Sequence, residues 1–315
     1  MQTTAVLSTT ELIKDFKELR LRARGVGLKH VAVVVADDEV ALQAAAGALE
    51  LGIAQPILIG DETRIRSKAE EHGLRNLLDG AQFVSATDSS EAAKIAARMA
   101  RDGQADILLK GHLRTDELLR AVLDKENGLR TGRLLSDVLL YEDTLAGERR
   151  LVGITDGGLN VAPTLEQKKQ IVQNAIEVMH AIGHKRPRMA IMSATEAVTD
   201  SVPSTLDAKV LTELGSAGHF GEADVFGPLA LDNALLESAA RAKGITGAVA
   251  GHADCMVVPN IESGNLLGKA VKYLGGSQCA HVVVGARVPI LIPSRVESAD
   301  DKVNAMALGV IFARR

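Results

Sequence analysis

The stretch "VAVVVADDEVALQAAAGALELGIAQPILIG", residues 31–60, decides the fold. Val31–Ala36 are six apolar residues without alternation, four of them valine, which is the pattern of a strand buried on both faces. Asp37 and Asp38 stop the run, and apolar residues then recur at helical spacing up to Gly52. "PILIG" follows as a second strand. Two buried strands joined by one helix form a parallel pair, because a tight turn can only join antiparallel strands.

The same rhythm continues outward. "ETRIRSKAEEHGL" is a helix, "AQFVSA" a strand and "SSEAAKIAARMARDG" a helix, and "ADILLKG" leads into "TDELLRAVLDKE". A polar segment, "YEDTLAGERR" (141–150), interrupts it as a hairpin or a connection between domains. The alternation resumes with "LVGITDGG" and runs to "HVVVGA", "PILIP" and a closing helix near 299–313. The fold expected is α/β: two three-layer α/β/α domains with mostly parallel sheets. Residues 1–148 with 289–315 are expected to make the first domain, if the C-terminal strand and helix return to it, and 149–288 the second. A chain of 315 residues is long enough for both.

Composition excludes several classes. Aromatics are 2% of the chain and Trp is absent, so base-stacking platforms for nucleic acid are not expected. With a net charge of −4, no global basic field draws in nucleic acid or membrane, and any bound anion needs a local cluster. No run approaches the ~18 apolar residues of a membrane span. The N-terminal "MQTTAVLSTTELIKDFKELRLRARG" reads as an amphipathic helix and not a secretory leader. Cys255 and Cys279 sit in no metal or disulfide spacing, as in a cytoplasmic protein. There is no GxxxxGK[ST], no GxGxxG after the first strand, no HExxH and no GxSxG. His180 and His184 in "HAIGH" are read as helix-end residues, not ligands.

Ligands of open α/β sheets bind beyond the carboxyl ends of the strands. The residues at those ends are Lys110 and His112, Asp156 to Asn160, Ser193 to Glu196, Gly227 to Asn233, Pro259 to Asn265, and Ser294 with Arg295. Glycine, amide and basic side chains predominate, as an anionic ligand requires. Lys110, Arg114 and Arg120 gather near a helix start, where backbone N–H groups favour phosphate; a solvated face shared with Asp116, Glu117 and Asp124 is the plainer alternative. The glycines of "DGGLNVAP" (156–163) permit close approach to a ligand, or make a long turn. Gly264 and Asn265 open a helix below a strand end, where Ser263 or Asn265 also suits a cap; Asp232 or Asn233 does so in "GPLALDNALL". Ser298 and Asp301 fit a capping box, although Glu or Gln is the usual partner. Ser294 and Arg295 need more than capping: a forked cation beside a hydroxyl is phosphate chemistry.

On "DGGLNVAPTLEQK", "GPLALDNAL", "VPNIESGNLLGKAV" and "PSRVESADDKV", the chain resembles the phosphate acetyltransferase and phosphate butyryltransferase family, from about Lys29 to the C-terminus. "DGGLNVAP" and "GPLALDNA" look more like the butyryltransferase branch. The resemblance implies reversible conversion of acyl-CoA and phosphate to acyl phosphate and CoA, with the site in an interdomain cleft between two α/β domains of isocitrate dehydrogenase-like fold. It further implies a homodimer with no prosthetic group, coenzyme A being a substrate. The family's Ser-Arg pair falls on Ser294 and Arg295, and its catalytic Asp on Asp301. A second family arginine falls on Arg120 or Arg114. Val296 and Glu297 depart from the small residue and Asp frequent in relatives, which puts any contact made at 297 in question. In this scheme Asp301 deprotonates the CoA thiol, Arg295 with Arg120 holds the phosphate, and Ser294 donates to the oxyanion. Lys110, Asn160, Gly264 and Asn265 complete the expected substrate contacts. Two other readings compete: a metal- and NAD(P)-dependent dehydrogenase on a similar scaffold, and a non-catalytic acyl-CoA-sensing domain.

Overall fold

A computed structural model of the chain describes residues 11–145, 147–293 and 297–313. In chain order, α1 (Phe16–Val26), β1 (Lys29–Val34), α2 (Glu39–Glu50), β2 (Ala54–Gly60), α3 (Glu62–Glu71), α4 (Arg75–Gly80) and β3 (Gln82–Ser85) come first. They are followed by α5 (Ser89–Arg101), β4 (Ile107–Lys110), α6 (Thr115–Val122), β5 (Ser136–Asp143), β6 (Arg150–Thr155), α7 (Leu165–Ala181) and β7 (Arg188–Met192). Next are α8 (Pro203–Ser216), β8 (Asp224–Leu229), α9 (Leu231–Leu235), α10 (Glu237–Ala242), β9 (Cys255–Val257) and α11 (Ile261–Lys269). β10 (Cys279–Val284), β11 (Ile290–Leu291) and α12 (Ala299–Phe312) close the chain.

The contacts divide the molecule into one unit of residues 17–133 with 280–313 and another of 11–16 with 134–279. The boundaries expected from sequence, 148 and 289, fall 15 and 9 residues later. The difference has a local cause at each crossing. β5, which lies before 148, pairs antiparallel with β6 through Leu139↔Ile154 to Asp143↔Arg150. β10, which lies before 289, pairs antiparallel with β11 at Val283↔Ile290.

In the first unit the strands lie in the order β3-β2-β1-β4-β11-β10, all parallel except β10. β1 leads through α2 towards β2, whereas β4 is reached from β3 by α5, so the direction of winding reverses between β1 and β4. Right-handed crossovers then set α2 and α5 on opposite faces. Accordingly α12 packs on α2 and α6 packs on α5. With so few aromatics, close packing relies on small residues. Ala92, Ala93, Ala96, Ala97 and Ala100 form the buried stripe of α5, and Gly47 of α2 lets Val303 of α12 sit against its backbone. Each crossover helix starts on an aspartate just past a strand end: Asp38 accepts from Ala41 N at 2.9 Å, Asp61 from Arg64 N at 3.1 Å and Asp88 from Glu91 N at 2.8 Å. These caps satisfy helix N–H groups that would otherwise lack partners.

In the second unit the order is β5-β6-β9-β7-β8, with only β5 antiparallel. Its core joins Val152, Ile154, Ala190, Met256 and Leu229 from the strands to Ala234, Leu235 and Ala240 from the short helices. α7 begins with a full capping box, Thr164 with Gln167. Where β7 and β9 begin, Asp254 accepts from Arg188 Nη2 at 2.7 Å, from its Nε at 2.9 Å and from its backbone N–H at 2.8 Å. That end of the sheet is tied by ion pairs, and the loops at the other end carry the polar side chains singled out from the sequence.

Candidate active site

In the first unit three neighbouring parallel strands, β1, β4 and β11, end side by side. The β1 and β4 exits are held by backbone bonds: Gly111 N donates to Val34 O at 2.9 Å and His112 N to Val35 O at 2.8 Å. A Cβ on Gly111 would run into the Val34 and Val35 carbonyl oxygens, so only glycine fits there. Val35 itself has φ of 56°, a left-handed conformation that is costly for a β-branched residue. Lys110 stays at the strand end and donates to Gly111 O at 3.2 Å.

Arg114 is the N-cap residue of α6, but Arg120 lies in its last turn, so the three cations do not all gather at the helix start. Asp116 joins the two arginines, at 2.9 Å to Arg114 Nε and 3.6 Å to Arg120. The Arg114 hydrogen bond is the main reason that the Asp116 carboxyl is held below its ordinary value. Both arginines are largely exposed, 82% and 77%, and such pairs contribute little stability. An anionic substrate can therefore take either guanidinium from Asp116 at small cost. Arg120 also borders a groove of 420 Å³ between α5 and α6, beside Lys94, Arg98 and Arg101.

Ser294, Arg295 and Val296 lie outside the described residues. The helix they lead into is described, and its capping box is present. Ser298 Oγ accepts from Asp301 N at 3.1 Å and donates to Asp301 Oδ2 at 2.6 Å, while Ser298 N donates to the same oxygen at 3.2 Å. Asp301 is 4% exposed. The box orients the carboxylate, and a carboxylate has acceptor positions beyond those a cap uses. Lys302 Nζ donates to Gln43 Oε1 at 2.8 Å, tying this first turn to α2.

In the second unit, Asn160, Gly264 and Asn265 meet at one junction of loop and helix. Asp156, 2% exposed, organises the loop after β6. Its Oδ1 accepts from Gly158 N and Leu159 N, each at 2.9 Å, and its Oδ2 from Asn160 Nδ2 at 2.5 Å. The Asn160 amide also reaches Leu135 O at 2.9 Å. Burial, then the nearby Asp137 carboxylate, pushes the Asp156 carboxyl above its ordinary value despite these donors. Asp156 was legible only as part of its loop; the unread signal was an Asp directly between an apolar run and two glycines. Asn265 Nδ2 donates to Gly157 O at 3.3 Å.

Gly264 lies so close to the loop that an added Cβ would stand 2.7 Å from Gly157 Cα and 2.8 Å from Asp156 O. Gly264→Ala should therefore cost about 1–3 kcal/mol of stability, as overpacking does. A melting curve measures it, and an unchanged midpoint would contradict this account of the junction. The N-cap of α11 is Asn260, accepting from Ser263 N at 3.0 Å, rather than Ser263 or Asn265, because the helix begins earlier than expected. The N-cap of α9 is Ala230, with no side-chain cap, so neither Asp232 nor Asn233 has that role. Asn233 is buried and donates to Glu196 Oε2 at 3.3 Å, joining the loops after β7 and β8.

Among the described residues, no three His, Cys, Asp or Glu side chains assemble as a metal site would need. No described helix is long and apolar enough to cross a membrane. Two α/β units whose strand ends carry glycine, amide and basic side chains have the form of an enzyme for anionic substrates.

Comparison with known proteins gives the class a definite place. The family model for phosphate acetyl/butaryl transferase matches residues 16–95 and 80–310. The phosphate acetyltransferase of Rickettsia felis is 43% identical over 299 residues, covering 95% of this chain and 84% of that one. The phosphate butyryltransferase of Clostridium acetobutylicum is 39% identical over 302 residues, covering 96% and 99%. Among solved structures, a branched-chain phosphotransacylase from Enterococcus faecalis superposes with a TM-score of 0.79 at 30% identity, covering 90% and 99%. The chain belongs to the phosphate acetyl/butaryl transferase family. These relatives lend no support to the dehydrogenase or acyl-CoA-sensing alternatives.

Proposed function

We propose that the protein is an acyltransferase that moves a short acyl group (acetyl, propionyl or butyryl) reversibly between coenzyme A and inorganic phosphate. The observation that carries this reading is family membership across nearly the whole chain, residues 16–310. The strand-end chemistry supports it: Lys110, Arg114 and Arg120 supply local positive charge on a chain of net charge −4.

Asp301, oriented by Ser298, accepts the proton of the CoA thiol. The thiolate attacks the carbonyl of the acyl phosphate, and the tetrahedral oxyanion accepts a hydrogen bond from Ser294. Arg295, with Arg120 or Arg114, holds the phosphate as it leaves and offsets its growing charge. Asn160, Gly264 and Asn265 form a rigid polar edge for substrate binding, since the backbones there are already in contact. Fixing two anionic substrates accounts for a large share of the rate enhancement in such a reaction. Coenzyme A enters as substrate, and no resident cofactor is needed. The protein works in the cytoplasm as a homodimer; its two cysteines are free and buried, and Leu266, Tyr273 and Leu274 leave apolar surface for a second copy.

Relatives of both acyl preferences are similarly close, so the acyl chain is an experimental question. Thiol release with phosphate from the series acetyl- to hexanoyl-CoA answers it. Release in the C2–C4 range is expected, and none from acetyl-, propionyl- or butyryl-CoA would overturn the proposal.

A further inference from the structure

A second polar pair lies where β1 and β4 end, at the point in the first unit where the winding reverses. Open α/β sheets bind their ligands at that kind of point. Asp37, three residues beyond β1, has a side chain only 8% exposed. Arg64 of α3 forms an ion pair with its Oδ2. Its Oδ1 is buried and has no hydrogen-bond partner among the described residues. His112 Nδ1, two residues beyond β4, stands 3.7 Å from it. The backbone bonds of Gly111 and His112 to Val34 and Val35 set this approach, and the ring is 51% exposed.

A buried carboxylate oxygen can only accept, so a hydrogen bond between the two puts the ring hydrogen on Nδ1. Nε2, across the ring, is then left with its lone pair. Catalytic hydrogen bonds are commonly long before substrate binds, so a separation of 3.7 Å is compatible with one.

We propose that Asp37 and His112 form a dyad that accepts the proton of the attacking phosphate when acyl-CoA is converted to acyl phosphate. The inference rests on the acyl-transfer reading and adds a residue for its phosphate side. Hydrogen phosphate dianion attacks the thioester carbonyl carbon. The C–O bond forms and the C–S bond breaks, its electron pair leaving on sulfur. The acyl phosphate product is a dianion without that proton, which passes to His112 Nε2. The CoA thiolate takes a proton from Asp301, the reverse of the step assigned to that carboxylate above. Exchange of both protons with water closes the cycle. His112 is the catalytic residue and Asp37 the positioning one. Arg64 pairs with the other Asp37 oxygen, and Lys110 and Arg114 provide the cationic surroundings that hold the phosphate.

The test is steady-state kinetics on the full-length protein with phosphate and butyryl-CoA. His112→Gln should lower kcat on the order of 10²-fold, the low end of what a positioned proton acceptor supplies. KM for phosphate should change much less. His112→Ala leaves an opening at a half-exposed position, so added imidazole should restore kcat in a saturable way. Asp37→Asn should lower kcat in the wild-type background on the order of tenfold, and scarcely in the His112→Gln background, as coupled groups do. If Asp37→Asn does not fold, the two His112 variants decide the matter alone. Wild-type kcat in His112→Gln overturns the dyad, as does a His112→Ala protein that ignores imidazole. A wild-type protein without phosphate-dependent CoA release instead brings down the acyl-transfer reading itself.

Discussion

Asp301→Asn should lower acyl transfer by roughly 10²–10⁴-fold, the range that a positioned general base supplies. Folding should hardly change. The asparagine keeps an oxygen for the Ser298 N–H and the same shape at the third residue of α12, so the loss of stability is at most about 1 kcal/mol. What disappears is the basic carboxylate. Raising the pH should then partly rescue the variant, because a thiol of pKa about 8.5 is increasingly ionised without help. The measurement is kcat against pH for both proteins, with melting curves as the folding control. A stable variant with full activity at pH 7 would leave Asp301 as a cap alone.

Arg295→Ala should act on phosphate and acyl phosphate more than on CoA. A charge-assisted contact to an anion is worth about 1.5–3 kcal/mol, so kcat/KM should fall at least roughly tenfold. The expected pattern is a raised KM for phosphate together with a lower kcat, since the same arginine meets the ground state and the departing phosphate. A folded variant with wild-type kinetics for both substrates removes Arg295 from the site.

Residues 31–60 were readable because a parallel strand buried on both faces is written as an unbroken apolar run. The same property hid β5. Ser136–Asp143 carries Asp137 and Asp143 inside a buried strand, and its end ran into a segment that looked like polar connection. Asp143 is tolerated there because Arg150, from the neighbouring strand, pairs with it at 2.9 Å. A pairing made through sheet register leaves no trace in local pattern. The expected boundary at 148 falls 15 residues past the first crossing for that reason.

The site divides in the same way. Asn160, Gly264 and Asn265 could be picked out because each follows an apolar run, and they do meet. Asp156 and Asp137 come close only because β5 and β6 are neighbours, so the shifted Asp156 carboxyl could not be foreseen. Asp37 and His112 were each visible at a strand end. Their approach depends on β1 lying next to β4, with more than seventy residues between them in sequence. Helix starts gave a mixed result for a related reason. The Ser298–Asp301 box is local and was legible, whereas α11 begins on Asn260, three residues before the serine that looked like the cap.

One measurement tests the central claim most directly. Purified protein is incubated with butyryl-CoA and phosphate, with chelator present and no nicotinamide cofactor. Free CoA is followed by its thiol, and acyl phosphate is trapped with hydroxylamine. The account predicts the two products in equal amounts, both dependent on phosphate, and the reverse reaction when acyl phosphate and CoA are supplied. CoA release without acyl phosphate, or no turnover with any short-chain acyl-CoA, would contradict it.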